Sequence, residues 1–344
     1  MIEINGSYGE GGGQILRTAI AFSILTQTPV RITKIRANRP QPGLKQQHLT
    51  VVKMLASLSS ADTNGATFGS STISFQPKPL KAGVYRFDVG TAGSVVLIAQ
   101  TVILATLKTE EEITIVLTGG TDVKWAPSWD YFTHIFLPFI QFMGVKVEAT
   151  LEKRGYYPKG GGRIRLVIHP QTVLSSVTLE NPRPVKTIMG IIHSYGLPDH
   201  IMMRLKNTIQ KTTAYKGYEN QIRTETDPTS SPGIVLTLWT DTEDRFLGCI
   251  GLGEKGRRAE TIATESLQKL FEYIDSNATV DPYLFDQILG FLVCADGDSR
   301  VVTPYLSSHA ATTIWLINQV LHDNTCVRYT EDNSHVTADV LVKM

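Results

Sequence analysis

The fold class is decided by residues 9–35, GEGGGQILRTAIAFSILTQTPVRITKI. The glycines predict a turn, and residues 15–25 are apolar enough for a buried helix. Residues 30–35 alternate between apolar and polar side chains, as a half-buried strand does. A glycine-rich turn, a helix and a strand in this order predict a unit of an α/β protein.

Further units follow along the chain. GTAGS at 90–94 precedes a predicted helix at 95–107 and a strand at 113–118. A third helix is predicted near 130–143, followed by strands at 145–151 and 163–169. The spacing indicates an internal repeat of about 80 residues, which is longer than the repeats of solenoid proteins.

The composition changes after Pro170, and residues 181–184 form a turn-rich joint. Residues 185–277 then predict a compact unit of strands and two helices, after which apolar helices return at 283–295 and 309–321. We therefore predict a large α/β domain, residues 1–184 and 278–344, that is interrupted by a smaller α/β domain at 185–277.

Composition excludes several classes of protein. The chain has 344 residues, 42% of them hydrophobic and 19% charged, which rules out a disordered chain. With 33 Lys and Arg against 32 Asp and Glu, it has no global basic field. Three cysteines without a CxxC pair argue against a disulfide framework or a cysteine zinc site.

The same analysis predicts an intracellular protein without a membrane span. The most apolar stretch, residues 92–107, is shorter than the about 18 residues that a span needs, so it predicts a buried helix. The first residues, MIEINGSYGEGGG, lack the basic and apolar regions of a secretory signal. GLGEKG at 251–256 fits a dinucleotide-binding motif, but no further parallel strand is predicted after its helix, so we interpret these glycines as turn residues.

Two features of the first 61 residues suggest phosphate chemistry. From Gly11 to Ala61 there are seven Lys and Arg and no Asp or Glu, which suits a polyanion but also fits a solvated basic face. Glu10 directly precedes three glycines, whose backbone N–H groups can hold phosphate. A carboxylate at that point is a candidate ligand for a divalent cation and Arg17 a candidate phosphate ligand, although composition alone favours a flexible hairpin turn.

A third feature is Ser307-Ser308-His309, just before an apolar helical pattern. Ser308 is predicted to cap that helix, which places His309 in its first turn. The positive end of a helix disfavours an imidazolium, so His309 is predicted to be neutral and to be a candidate nucleophile toward phosphorus. An ordinary surface histidine is the alternative.

At these residues the sequence closely resembles the RNA 3′-terminal phosphate cyclases. The matching segments are GEGGGQILR at 9–17, IRANRPQPGLKQQHL at 35–49, GTAGS at 90–94, GGTDVKWAP at 119–127, GYYPKGGG at 155–162, GEKGRRAE at 253–260, YLFDQ at 283–287 and SSHAATTI at 307–314. The resemblance implies three similar modules, each of two helices on a four-stranded sheet, with a smaller domain inserted. It also implies that ATP is used to convert RNA 3′-phosphate ends into 2′,3′-cyclic phosphodiesters through histidine–AMP and RNA–adenylate intermediates.

The resemblance further implies residue roles. His309 would carry AMP, Glu10 would bind Mg²⁺ or Mn²⁺, and Tyr283 and Pro127 would enclose the adenine ring. The other residues implied for the nucleotide pocket are Gln14, Gln100, Leu284, Phe285, Asp286 and Gln287. Those implied for the triphosphate and the RNA end are Arg17, Arg36, Arg39, Gln47 and His48. Lys124 and Trp125 depart from the small or polar residues that the family often carries before Pro127.

Two rival functions follow from the same comparison. A related branch of this fold serves in ribosome assembly as a scaffold without cyclase chemistry, and it lacks the nucleophilic histidine that stands here at 309. An enzyme that acts on small phosphates is the second alternative, and the breadth of the resemblance disfavours it.

Overall fold

The computed structural model of the chain describes residues 1–171, 173–321, 325–332 and 335–342. Residues 322–324, 333–334 and 343–344 of the predicted segment 278–344 lie outside the described residues. The protein is a mixed α/β structure. Its helices are α1 Gly13–Thr26, α2 Gln46–Leu58, α3 Val95–Ala105, α4 Trp129–Tyr131, α5 Leu137–Phe142, α6 Asp199–Tyr215, α7 Ala259–Asp275, α8 Pro282–Leu292 and α9 Ser308–Leu321.

The strands alternate with these helices along most of the chain. They are β1 Ile2–Asn5, β2 Val30–Thr33, β3 Asp62–Asn64, β4 Ile73–Gln76, β5 Gly83–Asp88, β6 Ile113–Gly119, β7 Val147–Lys153, β8 Gly162–Ile168, β9 Leu174–Ser175, β10 Thr187–Tyr195, β11 Glu219–Glu225, β12 Gly233–Thr240, β13 Gly248–Leu252, β14 Ala295–Asp296, β15 Ser299–Thr303, β16 Thr325–Glu331 and β17 Val336–Val342.

The first two sheets have the same internal order of strands. They run β1-β2-β4-β3 and β5-β6-β8-β7. In each sheet the first two strands are parallel and the others antiparallel. Parallel neighbours need a crossover connection, which α1 supplies in the first sheet and α3 in the second.

The remaining strands are arranged differently. β15-β17-β16 form a three-stranded sheet, and β9 pairs with β14. A single parallel bridge joins Thr178 to Arg300 at the start of β15. A third four-stranded sheet of the predicted kind is therefore not seen within the described ranges.

Residues 187–252 form a separate sheet with the order β11-β10-β12-β13. Its last strand, β13, is antiparallel to β12 and lies at the edge. The glycine motif at 251–256 therefore lacks the parallel strands that a dinucleotide-binding unit requires, which agrees with its interpretation as a turn. The edge strand β11 was not predicted, because its polar, mostly exposed residues carry no clear alternation.

The core is organised around four helices, α1, α3, α8 and α9, which pack on one another. Most of the side chains of α3 are buried, as predicted for residues 92–107. In the described part of the chain, no helix is long and apolar enough to cross a membrane. A second hydrophobic cluster lies within residues 188–278, although Ile191 and Trp239 of that segment pack in the first cluster.

The predicted helix at 130–143 is not regular. Five residues, Phe132–Phe136, adopt a π-helical turn between α4 and α5. The helix predicted at 309–321 begins one residue earlier, at Ser308. These two differences are small, but the second changes which serine caps the helix.

Candidate active site

The first turns of α1 and α9 meet through Gln14 and His309. The Nδ1 of His309 lies 2.5 Å from Oε1 of Gln14. The amide nitrogen of Gln14 donates to the backbone oxygen of His309 at 3.1 Å and also to the hydroxyl of Thr313. Because a backbone carbonyl can only accept, the amide nitrogen must face it and Oε1 must face the imidazole.

This arrangement sets the tautomer of His309. The oxygen of Gln14 accepts the proton of Nδ1, so the lone pair of a neutral ring lies on Nε2. Burial lowers the pKa of His309 below its usual value, although Glu10 opposes that shift. His309 is therefore neutral at neutral pH. The side-chain amide of Gln14, which the resemblance implied for the nucleotide pocket, contacts His309 and Thr313.

The start of α9 is capped by Ser307 and not by Ser308. The hydroxyl of Ser307 accepts from the backbone N–H of Ala310 at 3.0 Å. Ser308 belongs to the helix, and its hydroxyl donates to Glu10. The predicted cap was therefore wrong by one residue, since the helix begins at Ser308.

Glu10 lies on the Nε2 side of His309. Its Oε2 is 3.4 Å from Nε2 of His309 and 3.1 Å from Nη2 of Arg39. The hydrogen bond from Ser308 lowers the pKa of Glu10 against the opposing effect of burial, and the charge of Arg39 lowers it further. Glu10 is therefore an ionised carboxylate beside a nitrogen lone pair, an arrangement that favours a positive or electrophilic group between the two.

Arg17 and Asp286 lie close to each other near this site. Burial lowers the pKa of Arg17 to about 10, and Asp286 opposes the shift. Burial also raises the pKa of Asp286 well above its usual range, with a further contribution from Asp281. Arg17 lies one turn along α1 from Gly13, and the side chains of Arg17 and Asp286 are both half-buried.

His48 and Gln47, at the start of α2, border the same glycine-rich turn. A Cβ at Gly13 would lie 1.9 Å from Nε2 of His48, so only glycine fits beneath this imidazole. The Nδ1 of His48 is buried and has no hydrogen-bond partner. Burial, with the charges of Arg17, Arg36 and Lys45, lowers the pKa of His48 to about 3. His48 is a neutral ring in a positive environment.

The side chains of Gln47 and Arg36 form hydrogen bonds with the backbone of neighbouring loops. The side-chain oxygen of Gln47 accepts from the backbone N–H of Ser94 at 3.0 Å, which ties the GTAGS segment to α2. Arg36 donates to the backbone oxygens of Gln41 and Gly43 at 2.7 and 3.1 Å. Part of the hydrogen-bonding capacity of Arg36 is therefore used inside the protein.

The residues implied for the nucleotide pocket divide into those with polar or exposed side chains and those with buried apolar side chains. Gln100 donates to Gln287 at 2.5 Å, and Tyr283 has 45% of its surface exposed. Leu284 and Phe285 are fully buried in the core, so their side chains support α8.

Asp281, which the sequence analysis did not single out, orders the start of α8. It caps the helix by accepting from the backbone N–H groups of Tyr283 and Leu284 at 2.9 and 3.0 Å. It also accepts from the hydroxyl of Tyr131 and from the N–H of Gly248. Burial raises the pKa of Asp281 to about 6. The Asp281-Pro282 pair before an apolar helix is a recognisable N-cap signal.

A second unpredicted group supports the segment that carries Pro127. Arg154 is buried and pairs with Asp122 at 3.2 Å, Asp130 at 2.7 Å and Glu225 at 3.3 Å. Asp122 in turn accepts from the backbone N–H of Trp129 at 3.0 Å. The loop between Asp122 and Trp129 is thus fixed at both ends by buried polar contacts.

Pro127 is buried within that loop, whereas Trp125 is 89% exposed. Lys124 pairs with Glu254 at 3.2 Å and lies over the ring of Trp125. Both departures from the family pattern therefore lie at the surface of the protein.

Comparison with known proteins shows the family of the chain. The family model described as RNA 3′-terminal phosphate cyclase matches residues 8–327. A protein of that name from Archaeoglobus fulgidus is 41% identical over 321 residues, which cover 93% of this chain and 96% of the relative. Relatives of the same name from Pyrococcus furiosus and Nitrosospira multiformis are 38% and 41% identical, each over 93% of this chain and over 93% and 92% of their own lengths. The chain belongs to the RNA 3′-terminal phosphate cyclase family of enzymes.

Proposed function

We propose that this protein uses ATP to convert the 3′-terminal phosphate of RNA into a 2′,3′-cyclic phosphodiester through a covalent histidine–AMP intermediate. The observation that carries the proposal is the contact between His309 and Gln14, which leaves the lone pair of Nε2 free. The names of the relatives support the overall reaction. An intracellular location, where ATP and RNA are both present, is part of the proposal.

The first step is nucleotidyl transfer to the enzyme. The lone pair of Nε2 forms a bond to the α-phosphorus of ATP, and the bond from that phosphorus to the bridging oxygen breaks. Pyrophosphate leaves with the electron pair. Arg17, Arg36, Arg39, Gln47 and the neutral His48 are proposed to bind the triphosphate and the RNA end. The charges of Arg17 and Arg36 act on His48, which lies against Gly13, and Arg39 pairs with Glu10 beside the same turn.

The second and third steps transfer the activation to RNA. An oxygen of the RNA 3′-phosphate attacks the same phosphorus, the P–N bond breaks, and His309 regains its lone pair. The neighbouring 2′-hydroxyl then attacks the RNA phosphorus, AMP departs, and the hydroxyl proton passes to solvent. Because this ring closure is intramolecular, proximity alone can supply about 7–11 kcal/mol of the barrier.

Glu10 is proposed as the protein ligand of Mg²⁺ or Mn²⁺. Mg²⁺ is commonly bound by one or two carboxylates together with substrate phosphates, so a single ionised carboxylate fits it. The described residues contain no group of three or more His, Cys, Asp or Glu side chains that could hold a metal by themselves. A bound cation would offset the charge on the leaving pyrophosphate.

For the nucleotide pocket we propose that Tyr283 and Pro127 enclose the adenine ring. Gln100, Asp286 and Gln287 are proposed to bind the rest of the nucleoside, and the partial exposure of Tyr283 supports a ligand at this point. Gln14, Leu284 and Phe285 belong to the same proposed pocket, in which the buried side chains of Leu284 and Phe285 support α8.

The domain division at 1–184, 185–277 and 278–344 and a three-fold repeat of two helices on four strands belong to the same proposal. The shared order of the first two sheets supports the repeat. The bridge from Thr178 to Arg300 would extend β15-β17-β16 by a fourth strand.

Labelling separates this function from its rivals. The purified protein is incubated with ATP labelled at the α-phosphate and a divalent metal. Label that stays on the protein, labile in acid and stable in alkali, is expected for a phosphoramidate. Absence of label would favour the ribosome-assembly scaffold. Label that passes to small phosphates but not to RNA would favour the second alternative.

A further inference from the structure

The loop between β3 and β4 exposes a phenylalanine at its tip. Phe68 has 62% of its surface accessible, although phenylalanine is usually buried. Gly65 and Gly69 on either side have φ values of +82° and +80°, which favour glycine. Backbone hydrogen bonds from Gly69 to Leu44 and from Leu44 to Ser70 fasten the loop to the segment that precedes α2. The ring is therefore held outward by an ordered loop.

Lys45 lies beside this ring. Its Nζ is 5.3 Å from the centroid of Phe68 and donates to the side-chain oxygen of Gln41 at 2.8 Å. The backbone oxygen of Gln41 accepts from Arg36 at 2.7 Å. The exposed ring is thus joined through short contacts to an arginine of the proposed phosphate-binding cluster.

From Arg36 the contacts continue to the nucleophile. The backbone oxygen of Arg36 accepts from the N–H of Arg39, whose side chain pairs with Glu10 at 3.1 Å. Glu10 lies 3.4 Å from Nε2 of His309. A continuous path of neighbouring residues therefore runs from His309 to Phe68.

Beyond Glu10, which lies next to His309, the charged groups along this path are positive. Between Gly11 and Phe87 the sequence contains a single acidic residue, Asp62, and Lys78 pairs with it at 3.0 Å. A flexible polyanion approaching His309 across this surface meets positive groups and one aromatic ring. Proteins that bind single-stranded nucleic acid combine these two elements, because bases stack on aromatic rings while basic groups follow the phosphates.

We propose that Phe68 stacks on a base of the RNA strand upstream of the 3′-phosphate and that Lys45 binds a backbone phosphate of the same strand. The inference rests on the proposed function, because it takes the RNA 3′ end to lie at His309. Stacking is tolerant of base identity, so this contact adds affinity for longer strands and little sequence preference.

The test measures binding of 5′-labelled RNAs that end in a 3′-phosphate, without ATP, so that no turnover occurs. Phe68→Ala should weaken binding of a ten-nucleotide RNA about tenfold, which corresponds to about 1.4 kcal/mol. Phe68→Trp should restore it. A nucleoside 3′,5′-bisphosphate has no upstream base and should bind all three proteins equally. The shortest RNA that shows the difference identifies the stacked nucleotide.

Salt dependence distinguishes the two side chains. Lys45→Gln should reduce the slope of log affinity against log salt by about 0.7, the value for one phosphate contact on a single strand. Phe68→Ala should leave that slope unchanged. The matched control is Phe142→Ala, since Phe142 lies at the C-terminal end of α5 and is 56% exposed.

Labelling of His309 by ATP should be the same in all these variants. If the wild-type protein neither labels nor cyclises RNA, the proposed function fails. If the wild-type protein labels and cyclises RNA but Phe68→Ala binds RNAs of every length as tightly as the wild type, the inference about Phe68 is wrong. The inference is also wrong if Phe142→Ala weakens RNA binding as much as Phe68→Ala does. If Phe68→Ala leaves the affinity for RNA unchanged, the exposed ring of Phe68 would instead be a contact for a protein partner.

Discussion

Gln14 and His309 contact each other twice, once through the imidazole Nδ1 and once through the backbone oxygen of His309. The second contact fixes the orientation of the amide, and the amide fixes which ring nitrogen is free. The reactivity of His309 therefore depends on a neutral side chain from the other end of the described chain.

Replacing Gln14 should change the rate and pH dependence of adenylylation. In the wild type the lowered pKa of His309 favours an unprotonated Nε2, so the rate should fall on acidification at a lower pH than an ordinary histidine would give. Gln14→Glu places a carboxylate at Nδ1, which raises the pKa of His309 and moves that fall to higher pH.

Gln14→Ala should instead slow adenylylation about 10- to 100-fold, as losses of groups that orient a functional histidine commonly do. Single-turnover labelling across pH measures both effects. If the wild type, Gln14→Glu and Gln14→Ala have equal profiles of labelling rate against pH, Gln14 does not set the tautomer of His309.

His309→Ala should abolish both covalent labelling and RNA cyclisation while the fold survives. The side chain is partly exposed and contributes little to the core, so the thermal unfolding midpoint should stay close to that of the wild type. Gel analysis after incubation with labelled ATP measures the loss. Retained labelling in this variant would move the nucleophile to another residue.

Glu10→Ala should impair adenylylation and raise the concentration of metal needed for half-maximal rate. The substitution removes an ionised carboxylate next to Nε2 of His309. The described part of the chain has no group of three or more His, Cys, Asp or Glu side chains that could hold the metal in its place. The measurement is a Mg²⁺ titration of the labelling rate. A matched control is Glu254→Ala, whose carboxylate pairs with Lys124 on the surface. A titration curve identical to the wild type would make Glu10 a residue of the turn only.

Asp281→Ala should weaken the start of α8. It leaves the donors of Tyr131, Tyr283, Leu284 and Gly248 without their acceptor, which should lower the free energy of unfolding by about 2–4 kcal/mol. Asp281→Asn keeps part of these contacts and should fold. Because Tyr283 is then held less firmly, the KM for ATP should rise while transfer of AMP from the labelled enzyme to RNA changes little. If Asp281→Asn slows only the transfer of AMP to RNA and leaves the KM for ATP unchanged, Asp281 does not position Tyr283 for nucleotide binding.

An RNA that ends in a 2′-deoxy 3′-phosphate should accept AMP and then stall. Activation needs only the terminal phosphate, whereas ring closure needs the neighbouring 2′-hydroxyl. A strand longer by one nucleotide should accumulate on a denaturing gel, with no phosphatase-resistant end. An RNA with a plain 3′-hydroxyl should give neither product. If the RNA with a plain 3′-hydroxyl were adenylylated efficiently, the protein would be a general nucleotidyl transferase and not a cyclase.

The parts of the site that lie within one helix start could be predicted from the sequence. The glycine-rich turn before α1 and the apolar periodicity after residue 309 are local patterns, and both helices formed at the predicted places. The capping serine was missed because Ser307 and Ser308 are chemically equivalent in the sequence, and only the exact start of the helix decides between them.

Contacts between distant segments could not be predicted in this way. Arg154 pairs with residues 24 to 71 positions away, and Asp281 adds to its local helix cap a contact with Tyr131, 150 positions away. The burial of both residues becomes visible only when the sheets pack. Leu284 and Phe285 lie in a segment with the motif of a nucleotide pocket, yet the helical period turns both side chains into the core.

The contact between Gln14 and His309 also has a consequence for biosynthesis. The two residues are 295 positions apart, so Gln14 is translated long before its partner. Chains emerge from the ribosome N-terminal end first and fold as they emerge. An incomplete chain thus presents the glycine-rich turn of α1 without His309, so under the proposed mechanism it should not accept nucleotide. During refolding of the purified protein, the ability to accept label should return only with the slowest long-range contacts, which makes self-labelling a reporter of the finished fold.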